Sequence, residues 1–270
     1  MLELRHLSKT FNPGTINEVR SLQQVSLSIE DGSFVTVIGT NGSGKSTLLN
    51  AVAGGFFVDA GSIHLGGRDV TSWPEYRRAA FIGRVFQNPF SGTAPSMSIA
   101  ENLALAAKRG RSRGFRAALG AGWMHELHDR VRVLNMGLES RLANAIGTLS
   151  GGERQALTLL MATWLRPELL LLDEHTAALD PKSGDKVIRV SEDIIARDKL
   201  TTLMVTHSMS QAATLGDRLI MMHRGRIIYD VRGAQKQRLR PAELLARFEE
   251  LRRSEQLDET AADMLKRVYI

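Results

Sequence analysis

Gly39-Thr40-Asn41-Gly42-Ser43-Gly44-Lys45-Ser46 decides the fold. The stretch matches G-x-x-x-x-G-K-[ST], a loop whose backbone cradles phosphate. Its glycines let the chain curl so that successive N–H groups point at one anion. A helix opening at Lys45 aims the positive end of its dipole at the same charge. In such a loop Lys45 reaches the β- and γ-phosphates, the Ser46 hydroxyl ligates Mg²⁺ and Thr47 donates on the α-phosphate side. By luck the pattern falls in roughly one chain of this length in a hundred. A dinucleotide loop does not fit, because Thr47 stands where the third Gly or Ala of G-x-G-x-x-G belongs.

The flanks supply the context such a loop demands. Phe34-Val-Thr-Val-Ile38 reads as a buried strand, and Leu48, Leu49 and Val52 follow at helical spacing. Upstream, Val25, Leu27 and Ile29 alternate along a strand, with turns at Asn12-Pro-Gly and Glu30-Asp-Gly. Residues 62–86 read as more strand and then a short helix. Residues 96–148 read as mainly helical, with one helix from about 122 to 135 and a Gly/Arg-rich loop before it. Strands are expected at 169–172 and 200–206, and a strand pair at about 218–231. From Pro241 the spacing of Leu244, Leu245, Phe248 and Leu251 predicts an amphipathic helix.

A second chemical feature lies far downstream. Leu169-Leu170-Leu171-Leu172-Asp173-Glu174 is a buried strand that ends in two carboxylates. Buried carboxylates are costly unless their charge is compensated, and Mg²⁺ compensates it well. Asp173 is the natural Mg²⁺ partner, as in phosphate-loop enzymes generally. Glu174 points the other way and can polarise a water that attacks the γ-phosphate.

Length and composition set the limits. The 270 residues suffice for one α/β domain with a subdomain inserted. No stretch approaches the ~20 apolar residues of a membrane-spanning helix. The richest region, Leu157 to Leu172, is broken by Arg166, Pro167 and Glu168. The N-terminus lacks the apolar core of a secretory signal. With no cysteine, disulfides and thiolate metal sites are excluded, which fits the cytosol. The net charge of +6 suits nucleic acid, anionic lipid or an acidic partner. Part of it sits in one run, with Lys108, Arg109, Arg111, Arg113 and Arg116 among small residues. That run reads either as a solvated loop or as a patch that faces a membrane or an acidic partner.

Leu149-Ser150-Gly151-Gly152-Glu153-Arg154-Gln155 then settles the comparison with known families. It resembles the LSGGQ signature of ABC-transporter (ATP-binding cassette) nucleotide-binding subunits, with Glu153 where Gln is commonest. Other stretches match in the family's order. Val85-Phe86-Gln87-Asn88-Pro89 resembles the Q-loop, Ala178-Leu179-Asp180 the D-loop and Val205-Thr206-His207 the H-loop. Phe11 stands where the family places an aromatic that stacks on adenine. The match spans residues 1 to about 232. Ser150-Gly151-Gly152 opens a helix, so it is also a second anion-binding helix N-terminus.

The resemblance implies a phosphate-loop core with a mixed sheet, an N-terminal antiparallel β-subdomain and an inserted α-helical subdomain. It implies an ATP-binding domain over 1–240, with the helical part at about 88–155, and a helical tail over 241–270. Two such subunits pack head to tail, each ATP lying between the 39–47 loop of one and Ser150, Gly151, Gly152 and Glu153 of the other. Glu174 is then the general base and His207 holds the γ-phosphate and positions Glu174. Gln87 touches Mg²⁺ or the attacking water and reports on the membrane partner, and Asp180 works across the dimer interface. The cofactors implied are ATP and Mg²⁺. The partners implied are a second ATP-binding subunit, permease chains and a substrate-binding protein, at the cytoplasmic face of the inner membrane. No nucleic acid is expected.

The separate-chain arrangement resembles prokaryotic importers most, and Leu-Leu-Asp-Glu-His-Thr-Ala-Ala-Leu-Asp at 171–180 resembles subunits paired with branched-chain-amino-acid-type permeases. The other class in view is a soluble ABC ATPase of nucleic-acid or cofactor-assembly processes, which the basic charge favours a little. A guanine-specific Asn-Lys-x-Asp motif is absent. His175 follows Glu174 where proline is commoner in the family, a departure that removes no catalytic group.

Overall fold

The computed structural model describes residues 1–110 and 121–250. β1 (Leu2–Phe11) and β2 (Val19–Ile29) precede β3 (Phe34–Gly39), the phosphate loop and α1 (Lys45–Ala53). Next come β4 (Ala60–Leu65), β5 (Arg68–Asp69), α2 (Glu75–Arg78) and β6 (Ile82–Val85). A helical stretch follows with α3 (Ile99–Ala107), α4 (Ala121–Arg132), 3-10 turns at Leu138–Arg141 and Ile146–Thr148, and α5 (Gly151–Thr163). The chain then returns through β7 (Leu169–Asp173), α6 (Pro181–Asp198), β8 (Thr202–Val205) and α7 (Met209–Thr214). β9 (Arg218–His223), β10 (Arg226–Arg232), α8 (Ala234–Gln237) and a helix over 241–250 complete it.

Among the described residues ten strands make two sheets. One is antiparallel, in the order β2-β1-β4-β5; the other has the order β10-β9-β3-β8-β7-β6. In the second, β6, β7, β8, β3 and β9 run parallel and only β10 is reversed. Parallel strands covered on both faces read as continuous apolar runs. The four leucines of β7 show why. Leu170 and Leu172 enter a core shared with α3, α4, α5 and α6. Leu169 and Leu171 enter another, shared with α1 and the antiparallel sheet. The parallel direction brings the C-terminal ends of β3, β6, β7 and β8 to one edge, where open α/β sheets bind ligands.

α1 is fixed at both ends. Its N-cap, Gly44, has φ 98°, and a Cβ there would lie 2.3 Å from the Ser21 carbonyl oxygen of β2, so only glycine fits. At the other end Arg78, 1% exposed, donates from Nη1 to the Ala51 and Val52 carbonyls at 2.7 and 3.0 Å. Its Nη2 and Nε reach the Thr71 and Trp73 carbonyls, both at 2.9 Å. One guanidinium thus closes the C-terminus of the phosphate-loop helix and ties it to the chain leading into α2. In the helical stretch, Trp123 of α4 meets Trp164 at 5.4 Å between centroids, with the Arg130 guanidinium 4.2 Å above Trp164. Trp73 is elsewhere, beneath Arg77.

Three expectations change. β6 is a separate strand after the short helix, too brief at Ile-Gly-Arg-Val to show alternation. Its Gly83 is required by close packing, since a Cβ there would sit 2.5 Å from the Ala162 carbonyl of α5. Leu245 is half exposed, whereas Leu244 is buried and Phe248 packs beside it, because Leu244 and Phe248, four apart, share the face that meets α7 and β9 and Leu245 is turned off it. Arg109 is not part of a solvated run: its Nη2 donates to the Ala162 carbonyl at 3.0 Å, and burial lowers its pKa. Arg111, Arg113, Arg116 and Leu251 lie outside the described residues.

Replacing Arg78 by Met keeps the bulk but leaves several buried carbonyls without donors. It is expected to cost about 3 kcal/mol, read as a lower urea midpoint. An unchanged midpoint would remove Arg78 from the support of α1.

Candidate functional site

Four strand ends build the site. β3 delivers the phosphate loop, β7 delivers Asp173 and Glu174, β8 leads to Thr206 and His207, and β6 leads to Gln87. Lys45 is 5% exposed, and its Nζ donates to the Gly39 and Thr40 carbonyls, both at 2.9 Å. Burial lowers the Lys45 pKa, while Glu174 and Asp173 act to raise it. The loop therefore holds a desolvated cation over a curl of backbone. The Ser43 Oγ is buried beneath it with no hydrogen-bond partner. Ser46 and Thr47 open α1 beside Lys45.

Glu174 is the centre of the cluster. Its φ of 47° places it in the left-handed region, which for a non-glycine residue costs of order 1 kcal/mol or more. The peptide is held there by a bond from Glu174 N to the Val205 carbonyl at 3.0 Å, and Ala177 N closes a turn on the Glu174 carbonyl at 2.9 Å. The kink takes the side chain off the strand direction of Asp173 and presents both oxygens to neighbours. Oε1 lies 2.5 Å from His207 Nε2, and Oε2 accepts from Gln87 Nε2 at 3.1 Å. The structure thus brings Gln87, Glu174 and His207 into one cluster, Gln87 hydrogen-bonded to the carboxylate and His207 in close contact with it. Asp173 lies 3.4 Å from the Arg84 guanidinium.

His175 turns away. It is fully buried against α6, with Nε2 3.1 Å from the Ser191 hydroxyl, and burial pushes its pKa down to about 4. Among the described residues no group of three or more His, Cys, Asp or Glu could hold a metal. What Mg²⁺ needs is less: one or two carboxylates, with substrate phosphates and water filling the rest of its shell. Asp173, the Ser46 hydroxyl and the Gln87 amide oxygen are hard oxygen donors of that kind, so the residues present fit the ion.

Ser150 caps α5 in a closed box. Its hydroxyl accepts from Glu153 N at 3.3 Å, and Glu153 Oε2 accepts from Ser150 N at 2.9 Å. Arg141 Nη1 takes the other Glu153 oxygen at 2.9 Å. Burial acts to raise the Glu153 pKa, but these partners outweigh it and the carboxyl stays below its ordinary value. A negative side chain beside the N-terminus of α5 is therefore compensated within the chain. Ser150 is exposed, and its hydroxyl accepts from Glu153 N. Asp180 caps α6 in the same manner, accepting from Ser183 N at 3.1 Å. Gly151 and Gly152 form the first turn of α5.

Phe11 ends β1 and packs edge-to-face on Phe56 at 5.3 Å, with Lys9 Nζ 5.6 Å from its ring. A cavity of ≈ 420 Å³ opens beside Gly39, Thr40, Asn41 and His207, and Phe248 from the last described helix also lines it. The sequence reading missed Phe248 here, and it missed two polar ties. Gln155 Nε2 donates to the Phe86 carbonyl at 2.9 Å, and the Arg154 guanidinium clasps the Thr93 hydroxyl. Both are buried polar residues on α5, and an arginine and a glutamine running into an apolar helix were the available signal.

This constellation has known counterparts. Residues 22–177 match the profile described as "ABC transporter", and the chain belongs to that family. It is an ATP-binding, ATP-hydrolysing subunit of the ABC-transporter class. The tyrosine transport ATP-binding protein of Clostridioides difficile (strain R20291) is 42% identical over 250 residues, covering 92% of this chain and 99% of that protein. The sulfate/thiosulfate import ATP-binding protein CysA 2 of Chromobacterium violaceum is 36% identical over 207 residues, covering 77% of this chain and 53% of its own. Among solved structures, the dimeric post-hydrolysis state of the ATP-binding cassette MJ0796 bound to ADP and Pi superposes with a TM-score of 0.73. It is 26% identical and covers 86% of this chain and 98% of its own.

Lys45→Ala removes the one buried ammonium of the phosphate loop. ATP affinity, measured by equilibrium binding, is expected to fall by about 100-fold, since a charge-assisted phosphate contact is lost. Retained affinity would sink the loop's assignment. Glu174→Gln keeps the shape but gives up a carboxylate that can take a proton; with Glu174 as general base, Mg·ATP should still bind while turnover drops by about 10²–10⁴-fold.

Proposed function

We propose that this chain powers a membrane importer whose membrane-spanning part is a separate permease chain, and that its catalytic work is done by Glu174, His207, Lys45 and Gln87. The observation that carries the reading is the Glu174 carboxylate held between Gln87 and His207 at the strand ends beside the Lys45 loop. In this mechanism Lys45, with the N–H groups of 39–47, binds and orients the triphosphate. Glu174 takes a proton from the attacking water, and His207 holds the γ-phosphate and keeps Glu174 aimed. Ser46, Asp173 and Gln87 would hold Mg²⁺, which would supply neutralising charge for the triphosphate. Phe11 offers its ring to the adenine.

Residues 1–240 act as one ATP-binding unit, with 88–155 as its helical part and 241–270 as a tail. One chain supplies the Lys45 loop and its partner supplies Ser150, Gly151, Gly152 and Glu153. The dimeric cassette structure supports pairing of two such chains, and the exposed, capped N-terminus of α5 suits a head-to-tail arrangement. No helix among the described residues is long and apolar enough to cross a membrane, which agrees with a separate permease and a peripheral place at the cytoplasmic face. The name of the tyrosine-transport relative favours an amino acid as cargo; a substrate-binding protein would deliver it. The nucleic-acid alternative loses ground, because Arg78, Arg109 and Arg154 spend their charge on internal contacts.

The test is reconstitution of the chain with its permease in vesicles. ATPase activity should rise several-fold with tyrosine-loaded binding protein, and Glu174→Gln should elute as an ATP-dependent dimer. A Glu174→Gln chain that stays monomeric with Mg·ATP, or one that never binds the permease, would overturn the reading.

A further inference from the structure

β6 and β7 pair with Arg84 opposite Leu171, and paired residues of parallel strands point to the same face. Arg84 therefore shares a face with Leu171 and Asp173, the side on which α1 and Lys45 lie. Its guanidinium approaches the Asp173 carboxylate at 3.4 Å, with both side chains about five-sixths buried. The same guanidinium lies over the Phe86 ring, 4.6 Å from its centroid. The Phe86 carbonyl is tied by Gln155 of α5, and the next residue is Gln87.

The pair is not a locked one. Tight arginine–carboxylate pairs are bidentate and shorter than 3 Å. Here one nitrogen makes one long contact, and Arg84 Nε is buried without a hydrogen-bond partner. Aromatic stacking rather than forked hydrogen bonding holds the group in place. Asp173 thus has a loosely attached cation of its own, beyond Lys45, at the carboxylate that the proposed mechanism assigns to Mg²⁺.

We propose that Arg84 is a positioning residue that serves as the resident counter-cation of Asp173 and sets the Mg²⁺ concentration at which nucleotide is bound tightly. The inference rests on the reading of Asp173 as a Mg²⁺ ligand. Mg²⁺ approaching Asp173 meets a fixed positive charge in a half-buried site, where such repulsion is stronger than in water. The guanidinium can yield the carboxylate and stay on Phe86, so the site keeps its order at low Mg²⁺ and closes around nucleotide only when the ion arrives. Unlike Lys45, Arg84 belongs to no phosphate-binding motif, so its removal should leave metal-free nucleotide binding unchanged.

The experiment is a Mg²⁺ titration of the full chain with a fluorescent, non-hydrolysable ATP analogue. Wild type, Arg84→Met, Arg84→Lys and Asp173→Asn are compared. Arg84→Met should move the Mg²⁺ midpoint to about three- to tenfold lower concentration. Arg84→Lys, which keeps the charge, should stay near wild type, and metal-free affinity should match in all three. A merely structural role would lower the Tm of Arg84→Met without moving its midpoint, and an unchanged or raised midpoint overturns the proposal. Asp173→Asn separates the two readings. If it leaves the Mg²⁺ midpoint of the wild type in place, the Asp173 ligand itself is wrong; if it weakens Mg²⁺ dependence while Arg84→Met changes nothing, only the Arg84 inference fails.

Discussion

Lys45, Asp173, Glu174 and Arg84 are gathered at one edge of a sheet whose strands are otherwise apolar, and none can be left in that half-dry place without a partner. This constraint shapes the rest. The Lys45 ammonium is folded onto two loop carbonyls. The Glu174 carboxylate accepts from Gln87 on one oxygen and meets His207 on the other, from a residue whose backbone is left-handed. Asp173 has Arg84. The cost of desolvating these groups is tolerable because α1, which supplies the loop, is itself held by a glycine against β2 and an arginine against its last carbonyls.

The helical part is tied into that edge by polar contacts rather than by the apolar core alone. α5 carries Ser150 at its exposed end and, one turn on, Arg154 and Gln155 at its buried side. Gln155 grips the carbonyl just before Gln87, and Arg154 grips Thr93 in the segment that follows. The element that would meet a partner's ATP is thus in direct contact with the loop that touches Glu174. In this chain the glutamate at position 153 also completes the Ser150 cap and is neutralised by Arg141, which explains how an acid is tolerated where the family commonly has an amide.

Much of this was legible in the sequence, for identifiable reasons. A phosphate loop needs glycines and a lysine at fixed offsets, so Gly44 and Lys45 announced themselves. A strand buried on both faces must be an apolar run, so Leu169–Leu172 did too, and the two acids at its end stood out by contrast. What was not legible depends on contacts between segments far apart in the chain. Arg109 looked like one charge in a basic run, and only the nearness of the Ala162 carbonyl makes it a half-buried donor. Arg84 sits in a four-residue strand with too little length for a pattern, and its partner is 89 positions away. Phe248 shows a helical face but not that the face ends beside His207.

The placement of the tryptophans has an optical consequence. The chain has three, and none lines the cavity beside the phosphate loop. Trp123 and Trp164 stand ring to ring in the helical part, between α4 and the end of α5, with a cation against one of them. Two indoles at that separation couple as chromophores, so the ultraviolet dichroism of this protein includes a contribution from a pair that senses the packing of α4 on α5. The molecule carries a built-in gauge of its helical part, separate from the nucleotide it binds.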